Sequence, residues 1–166
     1  MIELRNIEKN DEALLVEYLN DESVLKYLSS RIPHPYTLED AAWWVDKGCG
    51  KEGVVKAIEY RGAFCGIISM REQLFEHSHS GEVGYWVARE FWGRGIATIA
   101  LTQFTREIFS SQNIVRLYAS VFSGNVGSMK VLQKAGYKHE GTLSCSVKKG
   151  GIYFDEYIFA KVNVPS

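Results

Sequence analysis

The spacing of apolar positions changes period several times along the chain. Ile2, Leu4 and Ile7 sit among polar residues and predict a short first strand. Over residues 11–19, Ala13, Leu14, Leu15 and Tyr18 suit one face of an amphipathic helix opened by an Asp or Asn cap. A second short turn of helix follows near residues 23–28. Pro33 and Pro35 make residues 29–37 a loop, because proline interrupts both the helical and the strand pattern. Thr37-Leu38-Glu39-Asp40 has the form of a capping box with Asp in the Glu position. It opens a helix through Ala41, Ala42, Trp44 and Val45 that stops at Gly48 and Gly50.

The period then becomes two. Residues 54–60 read as a strand, Arg61-Gly62 as a hairpin turn and residues 64–71 as the partner strand. Residues 72–80 are polar and form a longer hairpin loop, and 82–87 complete the meander. The longest helix covers residues 96–109, with Ile96, Ile99, Ala100, Phe104 and Ile108 on one stripe. A strand at 115–121 and a helix at 126–134, stopped by Gly136, come next. Residues 137–143 and 153–162 form a final hairpin that turns at 148–151. The order is β-α-α-α-β-β-β-α-β-α-β-β. Antiparallel hairpins flank a β-α-β unit over 82–121, so the fold class is α/β (α+β) with a mixed sheet flanked by helices. No repeat, linker or low-complexity segment interrupts the chain, which predicts a single domain over 1–166.

Composition narrows the function classes. Of 166 residues, 46% are apolar and 23% charged, the balance of a folded domain that needs no disulfide or metal to hold a core. The net charge of −1 argues against a nucleic-acid partner, since non-specific binding rests on neutralising many phosphates. No uncharged apolar run approaches the ~18–20 residues of a membrane span, and the first ten residues carry no apolar signal core. The reading is a soluble, cytoplasmic protein, monomeric or homodimeric, without a membrane partner. Cys49, Cys65 and Cys145 are odd in number and widely spaced, which predicts buried or half-buried free thiols, no disulfide and no metal site.

The net charge conceals a split. Residues 1–83 hold 15 acids against 9 bases, and residues 84–166 hold 5 acids against 10 bases, so the halves carry −6 and +5. A positive half suits a polyanionic ligand, and a negative half suits a cation.

The chemistry concentrates in two clusters. In Gly84-Tyr85-Trp86-Val87-Ala88-Arg89-Glu90-Phe91-Trp92-Gly93-Arg94-Gly95-Ile96-Ala97, a strand enters a glycine-bearing turn that opens a long helix. Glycines let backbone N–H groups approach an anion, and a helix N-terminus favours negative charge. Neither a P-loop nor a dinucleotide fingerprint is present: Gly93 and Gly95 are followed by Thr98. The second cluster, Asn125 to Tyr137, follows the next strand. Both lie at strand C-terminal ends, where open α/β sheets place ligands.

Together these clusters resemble the GNAT (GCN5-related) N-acetyltransferases. The family pattern Gln/Arg-x-x-Gly-x-Gly/Ala falls on Trp92-Gly93-Arg94-Gly95-Ile96-Ala97, with Trp in place of Gln or Arg. The Asn-x-x-Ser and Gly-Tyr positions fall on Asn125, Ser128, Gly136 and Tyr137. Trp92, the Asn-x-x-Ser and the segment from Arg31 to Ala41 are similar to the Rim-type branch, which acetylates N-terminal amines of ribosomal proteins and has relatives acting on polyamines and other small amines.

The resemblance implies a GNAT fold, splayed between two parallel strands, and acetyl-CoA as co-substrate. It places pantetheine against the backbone of Trp86 and Val87. Pyrophosphate falls to the amides of Gly93, Arg94, Gly95, Ile96, Ala97 and Thr98, with Trp92 and the Arg94 charge beside them. Asn125 would bond the CoA arm. Ser128, near the CoA sulfur, would donate or relay a proton in place of the family's tyrosine, whose position here is Leu132. Glu82 is the first candidate base, with His34 and Glu72 behind it. His34, Tyr36 and Trp43 are candidates for acceptor binding; Trp86 joins them, and Trp44 and Phe122 read as core. Cys65 and Cys145 lack an adjacent histidine and are not read as nucleophiles. The acceptor is expected to be a peptide or protein N-terminal amine, for example of a ribosomal protein. The alternatives are a small-molecule amine as acceptor, or a catalytically weak acyl-CoA-binding module.

Overall fold

A computed structural model describes residues 1–165. Among the described residues there are seven strands: β1 (Ile2–Arg5), β2 (Val54–Tyr60), β3 (Ala63–Glu72), β4 (Ser80–Val87), β5 (Arg116–Phe122), β6 (Lys138–Lys149) and β7 (Ile152–Val162). Their order in the sheet is β1-β2-β3-β4-β5-β7-β6. β4 and β5 run parallel, while β1–β2, β2–β3, β5–β7 and β6–β7 are antiparallel. The helices are α1 (Glu12–Tyr18), α2 (Glu22–Leu25), α3 (Leu38–Trp43), α4 (Ile96–Ser111) and α5 (Val126–Lys134). The expected mixed fold and element order are therefore present.

Local chemistry sets the boundaries. The Thr37 hydroxyl accepts from the Asp40 amide at 3.1 Å and the Asp40 carboxylate accepts from the Thr37 amide at 2.9 Å, so the capping box opens α3. Arg61 and Gly62 both take positive φ, 51° and 80°, as the tight turn between β2 and β3 requires. Among the described residues, no helix is long and apolar enough to cross a membrane.

The chain forms two compact units. The first comprises residues 1–70 and 84–100, the second residues 71–83 and 101–166. In the first, Leu15, Tyr18, Tyr36, Phe64 and Ile67 belong to one buried cluster, with Tyr18 stacked on Phe64 at 6.0 Å between ring centroids. Arg5 ties this unit together. Its guanidinium donates to Asp11 at 2.8 and 2.9 Å and to Glu59 at 2.6 Å, joining β1, the turn before α1 and β2. The Asp11 hydrogen bond, partly opposed by burial, holds its charge above the ordinary range. In the second unit Phe104, Ile108, Leu117, Leu132 and Phe159 are fully buried. Thr105 and Tyr137 share a buried hydrogen bond of 2.7 Å, and Lys161 Nζ donates to Ala135 O at the end of α5.

Several expectations are corrected. Ile99 is 45% exposed, and the buried stripe of α4 runs through Ile96, Ala100, Leu101, Phe104, Thr105 and Ile108. Thr105 earns its inward position through the Tyr137 bond, which apolar patterning cannot reveal. α3 is shorter than expected: it widens into a π turn at Trp44–Gly48 and a 3-10 turn at Cys49–Lys51. β6 is longer. A bulge between Leu143 and Val147 breaks its alternation, with Cys145 at φ 51° and its amide held by Asp155 Oδ1 at 2.8 Å. Cys145 is consequently exposed, whereas Cys65 is buried and Cys49 half-buried.

Candidate active site

In the first unit the end of β4 has an unusual backbone arrangement. Ala88 N donates to Cys65 O at 2.8 Å. The Trp86 carbonyl oxygen lies over Gly66, 2.2 Å from where a methyl on that residue would stand. Trp86–Val87 is a trans peptide, because the described cis bond is His34–Pro35. In a trans peptide C=O and N–H are antiparallel, so the Val87 N–H points away from β3. The same rule turns the Val87 carbonyl away from β3, since Ala88 N faces it. That carbonyl accepts from Trp92 Nε1 at 2.7 Å. Of the two residues expected to hold pantetheine, Val87 thus presents an outward amide and Trp86 a carbonyl directed at β3. The Trp86 ring is half-buried against Tyr18 and Phe64, edge-on to both, and packs in the core.

Beyond β4 a 3-10 turn at Arg89–Phe91 leads to Trp92 and the glycine loop. Gly93 and Gly95 have φ 74° and 73°, and a Cβ at either would meet nothing within 4 Å. Conformation, and not crowding, therefore demands glycine here. Ile99 N donates to Gly95 O at 3.1 Å as the first bond of α4, and the amides of Ile96 and Ala97 precede it at the positive end of a 16-residue helix. The Arg94 guanidinium lies 5.7 Å from the Phe91 ring centroid and 5.9 Å from that of Tyr60. Stacking carries this charge on the outside of the loop.

The residues expected to bind the acceptor differ in exposure within this unit. His34 is exposed, and Trp43 is 53% exposed with Lys51 Nζ 5.7 Å from its ring centroid. Tyr36 is a core residue at 6% exposure, its main chain held by Asn20 at 2.8 Å on both sides. Burial, then the Asp40 charge, pushes its hydroxyl up to about 12. Trp44 is half-buried and packs against the core cluster. Burial pushes the Cys65 thiol up to about 11, which suppresses its thiolate and its nucleophilicity.

The second unit holds the other cluster. β4 and β5 are in register over Ser80↔Arg116, Gly81↔Leu117 and Glu82↔Tyr118. Glu82 is half-buried and forms no ion pair among the described residues. Burial, then the Glu82 charge, raises the Tyr118 hydroxyl above its ordinary value. Glu72 is exposed at the end of β3. Asn125 caps α5, its Oδ1 accepting from Ser128 N at 3.2 Å, and its Nδ2 has no partner among the described residues. Ser128 is half-buried in the first turn. Leu132 is fully buried, so the position of the family tyrosine is core here. Phe122 stacks on Phe154 at 5.8 Å.

Sequence reasoning passed over Ser120 and Glu156, whose Oγ and Oε2 are 2.6 Å apart. Their signal is the alternation Arg116, Tyr118, Ser120, Phe122 on the half-buried face of β5, which becomes meaningful only with the β5–β7 register.

Residues 2–138 match the acetyltransferase (GNAT) domain. The chain belongs to the GNAT acetyltransferase family. This GNAT protein is 27% identical over 95% of its length, and 91% of the relative's, to the uncharacterized N-acetyltransferase YnaD of Bacillus subtilis. Its fold matches that of RimL, a ribosomal L7/L12 α-N-protein acetyltransferase solved with coenzyme A, with a TM-score of 0.85 at 20% identity, covering 98% of this chain and 94% of that one. A ribosomal-protein-alanine N-acetyltransferase from Brucella melitensis matches with a TM-score of 0.80 at 25% identity, over 98% of each chain. The GNAT chain is an N-acetyltransferase. The Rim-type resemblance read in its motifs agrees with these neighbours, and GNAT structures bind CoA.

Proposed function

We propose that this GNAT enzyme transfers the acetyl group of acetyl-CoA to the N-terminal α-amine of a peptide or protein by direct attack, and that residues 1–166 act as one catalytic domain. The observation that carries the reading is Glu82: a half-buried carboxylate without an ion-pair partner among the described residues, in register with Tyr118. An α-amine has a pKa near 7.7–8.0, against about 10.4 for a lysine side chain, so a weak base suffices to release its proton at neutral pH. The Rim-like neighbours are acetyltransferases of ribosomal proteins, which favours the same class.

In this reading the outward Val87 amide donates to the thioester oxygen as negative charge develops there. A fixed donor of this kind contributes about 2.7–4 kcal/mol in other acyl-transfer sites. Glycine-loop residues Gly93 to Thr98 hold the pyrophosphate. Asn125 Nδ2 bonds the CoA arm while its Oδ1 keeps α5 capped. The amine nitrogen bonds to the acetyl carbon, its proton passes to Glu82, directly or through water, and the sulfur leaves as a thiol with a proton relayed by the Ser128 hydroxyl, which takes one from solvent in turn. No enzyme side chain becomes acylated, which fits the suppressed Cys65 thiol.

CoA-thiol release across an acceptor panel tests the reading. A peptide with a free N-terminus is expected to be acetylated, and the same peptide with a blocked N-terminus and a free lysine is not. Preference for a polyamine over the free peptide would assign the enzyme to small amines. The absence of any acetyl-CoA-dependent thermal shift would defeat both; a ligand at 100 times its Kd adds about 2.7 kcal/mol.

A further inference from the structure

We infer that Trp92 is a positioning residue for acyl transfer: its indole N–H masks the Val87 carbonyl, so that the outward edge of β4 presents a donor and no competing acceptor to the thioester. The inference rests on the reading above that the Val87 amide faces the acyl group.

Two geometric facts carry it. The Val87–Ala88 peptide is held at both ends, its N–H by Cys65 O at 2.8 Å and its C=O by Trp92 Nε1 at 2.7 Å. The preceding peptide is turned so that the Trp86 oxygen lies over Gly66. Val87 therefore directs both its N–H and its C=O to the side of β4 away from β3. An unmasked carbonyl there would set the negative end of a dipole beside a developing oxyanion, opposing the amide that stabilises it. A hydrogen bond to that oxygen withdraws it. The Trp92 side chain is 50% exposed, so its burial alone does not account for so short a bond. Trp92 also stands immediately before Gly93, so the same bond ties the first residue of the glycine loop to the last residue of β4.

Trp92→Phe keeps the ring and removes the donor; Trp92→Gln restores a side-chain N–H. With a saturating acceptor, Trp92→Phe is expected to lower kcat about tenfold and change the acetyl-CoA KM by less than about twofold, the loss of one well-placed hydrogen bond in the transition state. Trp92→Gln is expected to recover most of that loss. In the free protein, the indole N–H resonance that disappears in Trp92→Phe is expected to exchange slowly with solvent. Unchanged kcat with a raised acetyl-CoA KM would make Trp92 a cofactor-binding residue only and overturn the inference. Fast exchange of the indole proton would overturn it without any turnover assay, including when a variant does not fold. If the wild type acetylates no amine, the functional reading fails on its own, while the exchange measurement still decides whether the carbonyl is masked.

Discussion

The carbonyl oxygen of Trp86 sits over the α-carbon of Gly66, 2.2 Å from the point where a side-chain methyl of residue 66 would stand. Backbone lies on both sides of this contact, so neither partner can rotate away. Gly66→Ala is expected to shift β3 from β4 and cost about 1–3 kcal/mol, the range of an overpacked core. For a chain of this size that lowers Tm by roughly 2–12 °C, at 2–4 °C per kcal/mol. The Val87 amide would turn with the Trp86 carbonyl, so kcat is expected to fall as well. Thermal melts and steady-state kinetics on the variant check both outcomes; a wild-type Tm would show that the strands absorb the methyl.

Asn125 has two separable duties. Its Oδ1 caps α5, and its Nδ2 has no partner among the described residues. Asn125→Asp keeps the capping oxygen and removes the donor. It is expected to hold Tm near the wild-type value and to raise the acetyl-CoA KM about tenfold or more, since a carboxylate also repels the phosphates. Asn125→Ala loses the cap too and is expected to destabilise by about 1 kcal/mol. An unchanged acetyl-CoA KM in Asn125→Asp would leave capping as the whole role.

Ser128→Ala tests the proton donor. The expected result is a kcat lower by about 10²-fold or somewhat less, at the low end of general-acid effects, with little change in the acetyl-CoA KM. Leu132 is buried core, so no tyrosine replaces the hydroxyl from that position. Near wild-type turnover with a tight acceptor would remove Ser128 from the proton path.

Stability is expected to fall at alkaline pH. Burial raises the Tyr18 and Tyr36 hydroxyls from 10.0 to about 12 and the Cys65 thiol from 9.0 to about 11. These groups keep their protons in the folded state at pH values where the unfolded chain has lost them. The associated stability is therefore present in full below about pH 9 and falls as pH rises through 9 to 12. Urea midpoints measured across that window are expected to decline, and Tyr36→Phe is expected to flatten the decline.

The charge split is weaker in space than along the chain. The first unit, residues 1–70 and 84–100, holds 13 acids and 10 bases; the second holds 7 acids and 9 bases. The contrast of −6 and +5 between sequence halves thus becomes −3 and +2 between units. Steering of a cationic acceptor is expected to be modest: its KM should rise with salt over the range where the screening length shortens from ~30 to ~8 Å. A salt-independent KM would exclude steering by the net field.

Much of this protein follows from its residue order alone. The capping box at Thr37, the turn at Arg61-Gly62, the helix at residues 126–134 and the two glycine-bearing clusters are local statements, and local hydrogen bonds and backbone preferences realise them. Asn125 caps the amide of Ser128 only three residues further on, so that bond depends on local geometry alone.

Other features required the tertiary structure, because they depend on which strands become neighbours. Tyr36 looked like a cleft residue and is core, since the cluster of Leu15, Tyr18 and Phe64 closes over it. Ile99, expected on the buried stripe, is exposed, while Thr105 is buried with the partner that Tyr137 supplies. Above all, which edge of β4 offers an amide is decided by Gly66 and Cys65 on β3, about twenty residues upstream in the chain, and by an indole five residues downstream. Apolar periodicity encodes which face of a strand is buried, and it carries no record of where each peptide dipole will point.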